Sequence, residues 1–193
     1  MILVLGAISF VASAAVGYVY KVTAAPIAAA AEAGKKEALG QVLPAFETVE
    51  AVETTLDGLP VTVNTASSAA GEVVGYAVET TTDKGFSGAF RLMVGFTPDG
   101  KVRAVKVLSH NETPGLGSKM GDEGNVLFAS FDGRNPAEMK LAVRKDGGDV
   151  DALTAATITS RAYVDAVARA FNAVMGQLGG PELDAASGAS PQN

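Results

Sequence analysis

The first twenty residues limit the possible folds of this chain more than any other segment. Residues 1–20 contain no charged side chain and are dominated by Ile, Leu, Val, Ala and Phe. As an α-helix they would extend about 30 Å, which is the thickness of the hydrocarbon core of a bilayer. Tyr18 and Tyr20 lie at the end of this run and Lys21 follows, as expected where a helix leaves the membrane. We therefore predict a transmembrane helix at 1–22, embedded in a lipid bilayer.

A cleaved signal peptide is the alternative interpretation of the same run. The sequence Ala-Ser-Ala at 12–14 resembles a cleavage site, but no basic region precedes the apolar stretch, which continues past Ala14. A retained helix is therefore favoured. Lys21, Lys35 and Lys36 all follow the helix, so the positive-inside rule by itself weakly places the rest of the chain in the cytoplasm.

The composition excludes several classes of function. The 193 residues include no Cys, no Trp and a single histidine, His110. Such a chain cannot ligate an iron–sulfur cluster, use a thiol nucleophile, or supply a bis-histidine haem or a His-rich zinc site. We therefore expect no metal site, and any redox role needs an organic cofactor. The net charge of −6 argues against nucleic acid as a partner, because nucleic-acid binding requires a basic surface.

The pattern after the apolar run predicts a linker helix followed by an antiparallel sheet. The Ala-rich residues 23–44 favour a linker helix. Residues 72–80, 87–96 and 101–108 are rich in Val, Thr and aromatic side chains and are predicted to be strands. Pro-Asp-Gly at 98–100 is a turn that would join the last two strands into an antiparallel pair.

Other stretches of the chain have weaker patterns. Residues 45–70 mix acidic, Thr-rich and Ser-Ala sequences and are expected to be loosely structured, with one strand near 61–64. Residues 140–145 could add another strand. Strands first and a packed helix last indicate an α+β fold for the domain at 45–178. Residues 179–193 are rich in Gly, Ser, Ala and Pro and are expected to form a flexible tail.

Four hydroxyl side chains lie close together just before the last predicted helix. Thr154, Thr157, Thr159 and Ser160 fall within seven residues. Apolar residues then recur at three- and four-residue steps and make one helix face: Val164, Val167, Phe171, Val174 and Leu178. A helix N-terminus presents unpaired N–H groups and the positive end of the helix dipole, so it is a natural seat for a phosphate. Thr159 or Ser160 could instead be only the N-cap of this helix.

The same segment carries a resemblance to a known family. Residues 151–160, D-A-L-T-A-A-T-I-T-S, resemble the D-x-x-[ST]-G-A-T-x-T signature of the FMN-binding domain in the G subunit of the Rnf electron-transport complex. The C subunit of the sodium-pumping NADH:quinone reductase carries this signature too. In that family the last threonine is esterified to the phosphate of FMN, and by position this threonine is Thr159. Ala155 stands where the family usually has Gly, and Ala disfavours a positive φ.

A second segment resembles the same Rnf protein. Residues 110–117, H-N-E-T-P-G-L-G, match its H-x-E-T-P-G-L-G loop, although a Pro-Gly pair alone indicates only a type II turn. Residues 85–88 correspond to a Gly- and aromatic-containing turn of the family and are interpreted as a hairpin turn. The resemblance implies a set of cofactor-binding residues besides Thr159: Thr154, Ala156, Thr157, Ser160, Glu112, Thr113, Gly115, Leu116 and Gly117.

The resemblance implies a function for the chain. It indicates a membrane-anchored electron-transfer subunit with covalent FMN in an Rnf-type complex, which moves electrons between ferredoxin and NAD and couples this to sodium or proton translocation. The implied partners are the other membrane and peripheral subunits, and a separate flavin transferase for maturation. No Ser-His-Asp triad or pair of catalytic acids is visible, so we expect no catalytic residues and no independent substrate site.

The resemblance also implies a location and leaves two alternatives. The family places the domain on the extracytoplasmic side of the cytoplasmic (inner) membrane, contrary to the charge pattern, and we follow the family. One alternative is the homologous FMN subunit of a sodium-pumping NADH:quinone reductase. The other is a non-redox extracytoplasmic scaffold, against which the intact Thr159 argues.

Overall fold

The computed structural model describes residues 2–179, and the chain divides between residues 37 and 38 into two compact units. Helix α1 (Ile2–Val42) is continuous and contains Pro26. It covers residues 2–22 of the segment predicted to span the membrane and residues 23–42 of the predicted linker helix. The boundary at residue 22 stays a prediction. Among the described residues, α1 is the one helix long and apolar enough to cross a membrane.

Five antiparallel strands follow α1 and lie in the sheet in chain order. They are β1 (Thr48–Leu56), β2 (Leu59–Ser67), β3 (Val73–Thr82), β4 (Phe90–Phe96) and β5 (Val102–Ser109). The three strands predicted from Val, Thr and aromatic residues are confirmed as β3, β4 and β5. The turn at 98–100 joins β4 to β5, and its Gly100 has a φ of +81°, which suits glycine.

The prediction that residues 45–70 are loosely structured was wrong. Strands β1 and β2 form a regular hairpin whose register runs from Thr48 opposite Ser67 to Leu56 opposite Leu59. Asp57 and Gly58 make the turn with φ values of 53° and 75°, and two positive φ values are typical of a two-residue hairpin turn. The side chains of β1 are largely exposed, so this strand lacks the apolar alternation that reveals a half-buried strand.

The strand suggested at 140–145 is also wrong. Residues 144–146 form a 3-10 turn, and Val143 makes a single parallel bridge to Val150. Leu141, Ala142 and Val143 are apolar because they are buried in the core. A short apolar run can therefore mark an irregular buried segment as well as a strand.

Helix α3 (Thr157–Leu178) forms the core with one face of the sheet. Val164, Val167, Phe171 and Val174 are buried as its apolar pattern predicts, whereas Leu178 at the end of the helix is about half exposed. The Phe171 ring meets Phe96 of β4 edge-on at a centroid distance of 6.0 Å. This packing fixes α3 against the sheet.

A second apolar cluster covers the other face of the sheet. Ala38 and Val42 at the end of α1 and Leu43 directly after it pack with sheet residues such as Ala77 and Met93. Covering on both faces explains why β3 is buried along most of its length rather than at alternate residues.

Shorter helices complete the described part of the chain: a 3-10 helix at Gly117–Gly121, α2 (Val126–Phe131) and 3-10 turns at Pro136–Glu138 and Arg144–Asp146. Gly179 ends α3 in the left-handed conformation with a φ of 69°. The flexible tail expected at 179–193 otherwise lies outside the described residues.

Candidate cofactor-binding site

Three separate segments enclose a cavity of about 310 Å³ at the N-terminal end of α3. This volume lies at the lower end of the range for small-molecule sites. One segment is the turn between β3 and β4, the second is the loop after β5, and the third is the start of α3. The lining residues are Phe86, Glu112, Thr113, Leu116, Gly117, Ala155, Ala156, Thr157, Ile158 and Thr159.

Thr159 lies in the first turn of α3, on the wall of this cavity. The helix begins at Thr157, and its N-cap is Ala156, which has no side chain able to cap it. The interpretation of Thr159 or Ser160 as the N-cap was therefore wrong. Thr159 is only 1 % exposed, and its Oγ1 donates a hydrogen bond to Glu112 Oε2 at 2.8 Å.

The first turn of α3 leaves backbone donors available. The first hydrogen bond into the helix runs from Ser160 N to Ala156 O at 3.0 Å. Within residues 2–179, no acceptor takes the N–H groups of Thr157, Ile158 and Thr159. These groups and the dipole of a 22-residue helix create a positive potential beside the Thr159 hydroxyl.

The carboxylate of Glu112 joins the three segments. Glu112 is 4 % exposed; its Oε2 accepts from Thr159, and its Oε1 accepts from the backbone N–H of Ser87 at 3.1 Å. Two glycines allow this approach. A Cβ on Gly117 would lie 2.5 Å from Glu112 Oε2 and 2.7 Å from Thr159 Oγ1, and a Cβ on Gly85 would lie 2.7 Å from Glu112 Oε1. Any side chain at either glycine would therefore displace the carboxylate.

A tight turn presents Leu116 at the rim of the cavity. Leu116 N donates to Thr113 O at 3.2 Å, and Gly115 has a φ of +76°, as the third position of a type II turn requires. Ser118 Oγ accepts from Gly115 N at 2.9 Å and holds the turn. The Leu116 side chain remains 41 % exposed, so an apolar surface faces the opening.

The backbone at Ala155 turns in the left-handed region. Its φ is +59°, which is the conformation that the alanine was expected to disfavour. The chain adopts it nevertheless, and Ala155 lines the cavity next to Ala156.

The structure brings most of the predicted site residues together and leaves three outside the lining. Thr154 is exposed and Gly115 lies within the turn, and neither lines the cavity. Ser160 is fully buried; its hydroxyl donates to Ala156 O and accepts from Leu153 N. Ser160 therefore ties the preceding loop to α3.

Besides Ala155, two apolar lining residues, Phe86 and Ile158, were not among the predicted site residues. Phe86 is 65 % exposed and Ile158 is 48 % exposed. Phe86 belongs to the turn at 85–88, and an exposed aromatic residue between glycines could have been recognised as a ligand contact. Ile158 lies off the buried face of α3, where an isolated apolar residue is a weaker signal.

A comparison with protein families matches this region. The model of the FMN-binding domain family covers residues 85–172, which include every lining residue of the cavity. Residues 85–172 are thus similar to the FMN-binding domain family.

Curated relatives match about half of the chain. The G subunit of the ion-translocating oxidoreductase complex from Shewanella amazonensis is 44 % identical over 113 residues, which are 57 % of this chain and 52 % of that protein. The G subunit from Erwinia tasmaniensis is 46 % identical over 99 residues, 50 % of this chain and 47 % of the relative. The G subunit from Haemophilus influenzae is 44 % identical over 102 residues, which are 51 % of this chain and 49 % of the relative. The chain thus spans about half the length of these relatives.

The cavity suits the two ends of FMN, the cofactor named in the description of the matched family. The free N–H groups at the start of α3 fit a phosphate. Phe86, Leu116 and Ile158 supply apolar surface suited to a flavin ring. One feature disfavours a phosphate on Thr159. The Glu112 carboxylate lies 2.8 Å from Thr159 Oγ1, and two neighbouring negative charges repel each other.

Proposed function

We propose that this chain is the membrane-anchored electron-transfer subunit of an Rnf-type ion-translocating oxidoreductase complex, and that FMN is held covalently through Thr159. The observation that carries the proposal is the position of the Thr159 hydroxyl. It lies on the cavity wall, in the first turn of α3, beside three backbone N–H groups without acceptors in the described part of the chain. This is where a phosphate would be both bound and within reach of a hydroxyl.

The residues around the cavity have separate roles in this proposal. The N–H groups of Thr157, Ile158 and Thr159 bind the phosphate, and Thr157 can add a hydroxyl donor. Leu116 and Phe86 orient the ring and exclude water from it. FMN, when bound, supplies one- and two-electron transfer. A covalent bond suits a carrier in a membrane chain because the cofactor cannot diffuse away.

The names of the relatives and the apolar helix α1 support the proposal that this chain belongs to a membrane-bound complex. The relatives are named as subunits of an ion-translocating oxidoreductase complex, and α1 could anchor the domain in the membrane. We propose that the partners are the other subunits of such a complex and that a separate flavin transferase attaches FMN. We place the domain on the extracytoplasmic side, with ferredoxin and NAD as the electron carriers of the complex and sodium or protons as its transported ions.

The linkage is tested by the intact mass of the full chain after coexpression with a flavin transferase. Wild type should gain the mass of one FMN phosphoester. Thr159→Ala should gain none, because it lacks the only atom that forms the ester, whereas Thr159→Ser should keep attachment. Thr154→Ala is the matched control, since Thr154 is exposed and does not line the cavity, and it should load like wild type.

Two other outcomes would count against the proposal. FMN mass on Thr159→Ala would contradict the assignment and direct attention to Thr157. A wild-type chain that never gains FMN in the presence of an active transferase would favour the non-redox scaffold.

A further inference from the structure

We infer that Glu112 is the proton acceptor for Thr159 when the flavin ester forms; this inference rests on the proposed attachment at Thr159. The two side chains are 47 residues apart in the sequence, yet Thr159 Oγ1 donates to Glu112 Oε2 at 2.8 Å. Both are almost completely buried, at 1 % and 4 % exposure. A carboxylate that accepts the proton of a hydroxyl nucleophile meets the first geometric requirement for a general base.

The surroundings hold this carboxylate in a fixed orientation. Ser87 N donates to Oε1 at 3.1 Å, which leaves Oε2 to face the threonine. The backbone N–H of Glu112 donates to His110 Nδ1 at 3.2 Å and so fixes the chain at the start of the loop. Gly85 and Gly117 leave space for the carboxylate and for no additional atom. A side chain that only filled space would not need this number of directed contacts.

The step is balanced without an oxidant or reductant. The Oγ1–H bond of Thr159 breaks and its proton passes to Glu112 Oε2. Thr159 Oγ1 bonds to the phosphorus of an FMN phosphoanhydride, the class of donor that a flavin dinucleotide represents. The anhydride P–O bond breaks, and the other nucleoside monophosphate of the donor departs with the electron pair.

The transfer of this proton also removes the unfavourable charge noted above. A carboxylate beside a phosphate is repulsive, but a carboxyl group that has taken up the proton is neutral. Before attachment, the Glu112 carboxylate accepts a hydrogen bond from the unmodified Thr159 hydroxyl. After attachment, the ester has no proton to donate, and the protonated, neutral Glu112 does not repel its phosphate.

The test follows attachment kinetics on the full chain in detergent, with purified flavin transferase and flavin adenine dinucleotide as the donor. Intact mass gives the rate as the concentration of the acceptor chain is varied. Glu112→Gln keeps the size of the side chain but cannot take the proton. Its kcat should fall roughly 10²–10⁴-fold, the usual contribution of a general base, while KM for the acceptor stays near the wild-type value. Thermal unfolding of each unloaded chain shows whether the variant is folded.

A second variant separates chemistry from structure. Glu112→Ala leaves a space where the carboxylate was, and added formate should restore part of the lost rate. Formamide, which has a similar size but is no base, should not. Glu138→Gln, at an exposed residue on a 3-10 turn that does not line the cavity, is the matched control and should load like wild type.

The results distinguish this inference from the proposed function. Attachment to Glu112→Gln at the wild-type rate would overturn the inference and leave the Thr159 linkage intact. Equal rescue of Glu112→Ala by formate and formamide would overturn it as well, because only packing would then be needed. A wild-type chain that is not loaded at all would overturn the proposed function, and this inference with it.

Discussion

Ala155 shows how a single residue can keep a strained conformation beside the cavity. Its φ of +59° lies in the left-handed region, which costs a residue with a Cβ about 1–2 kcal/mol. The loop before α3 is held by Ser160, whose hydroxyl bonds both Ala156 O and Leu153 N. Packing of the loop therefore determines the conformation of Ala155, against its own preference.

Ala155→Gly should stabilise the domain. Glycine removes the left-handed cost, but it also adds up to about 1 kcal/mol of conformational entropy to the unfolded chain. We expect a net gain of about 0.5–1 kcal/mol, or a rise in Tm of roughly 1–4 °C, measured by thermal unfolding of the unloaded chain. Ala137→Gly is the control: Ala137 is exposed without a positive φ, and the change should lower Tm slightly. An equal loss of Tm in both variants would show that the left-handed backbone carries no strain.

The loop after β5 connects the sheet to the candidate site at the start of α3. It begins where β5 ends at Ser109 and reaches α3 through the contact of Glu112 with Thr159. Its turn closes through Leu116 N and Thr113 O and needs the positive φ of Gly115. The loop can therefore present Leu116 to a ligand without moving the carboxylate that anchors it.

Leu116→Ala should change the flavin environment without preventing attachment. Full burial of a leucine is worth roughly 1.5–3 kcal/mol, and Leu116, still 41 % exposed, would contribute part of this to ring packing. The flavin absorption spectrum and redox potential should shift, while intact mass still shows one FMN. Spectroelectrochemistry of the loaded full chain measures this, with Leu178→Ala as a similarly exposed control at the far end of α3. A wild-type spectrum and potential in Leu116→Ala would show that the loop does not contact the ring.

At the scale of the whole molecule, the chain combines an apolar helix with a domain whose sheet is covered on both faces. Ala38 and Val42 at the end of α1 pack with the following Leu43 on one face of the sheet, and α3 packs on the other. The remaining α1 residues belong to a separate unit, whose apolar side chains are exposed. Such a helix is stable in a bilayer and poorly suited to water.

The orientation proposed for the domain can be tested with protease. If the domain lies outside the cytoplasmic membrane, protease added to spheroplasts, which have lost their outer layers, should cleave it. Protease cannot cross the bilayer, so it reaches only the parts of the chain that lie outside. Immunoblotting of a C-terminal tag measures the cleavage, and a cytoplasmic protein serves as the control. Protection until the membrane is opened would support the orientation given by Lys21, Lys35 and Lys36 instead. Recovery of a mature chain beginning after Ala14 would establish a signal peptide.

Sequence patterns were informative where one physical requirement dominated a segment. Strands β3, β4 and β5 were predictable because together they are rich in Val, Thr and aromatic residues, which favour strands. The β1–β2 hairpin was missed although Asp57-Gly58 is a strong turn signal, because β1 is exposed and has no apolar alternation. The strand predicted at residues 140–145 is absent for the opposite reason. This segment is apolar because it is buried in the core, although it does not belong to the sheet.

By itself, the sequence determined the features that depend on neighbouring residues. The apolar N-terminal helix, the Pro-Gly turn before Leu116 and the apolar face of α3 all follow from local composition and periodicity. Tertiary structure alone decided that Glu112 meets Thr159 and that Phe86 lines the cavity together with the start of α3. These contacts join segments far apart in the chain, so they exist only once the sheet and α3 have packed and fixed the distances between them.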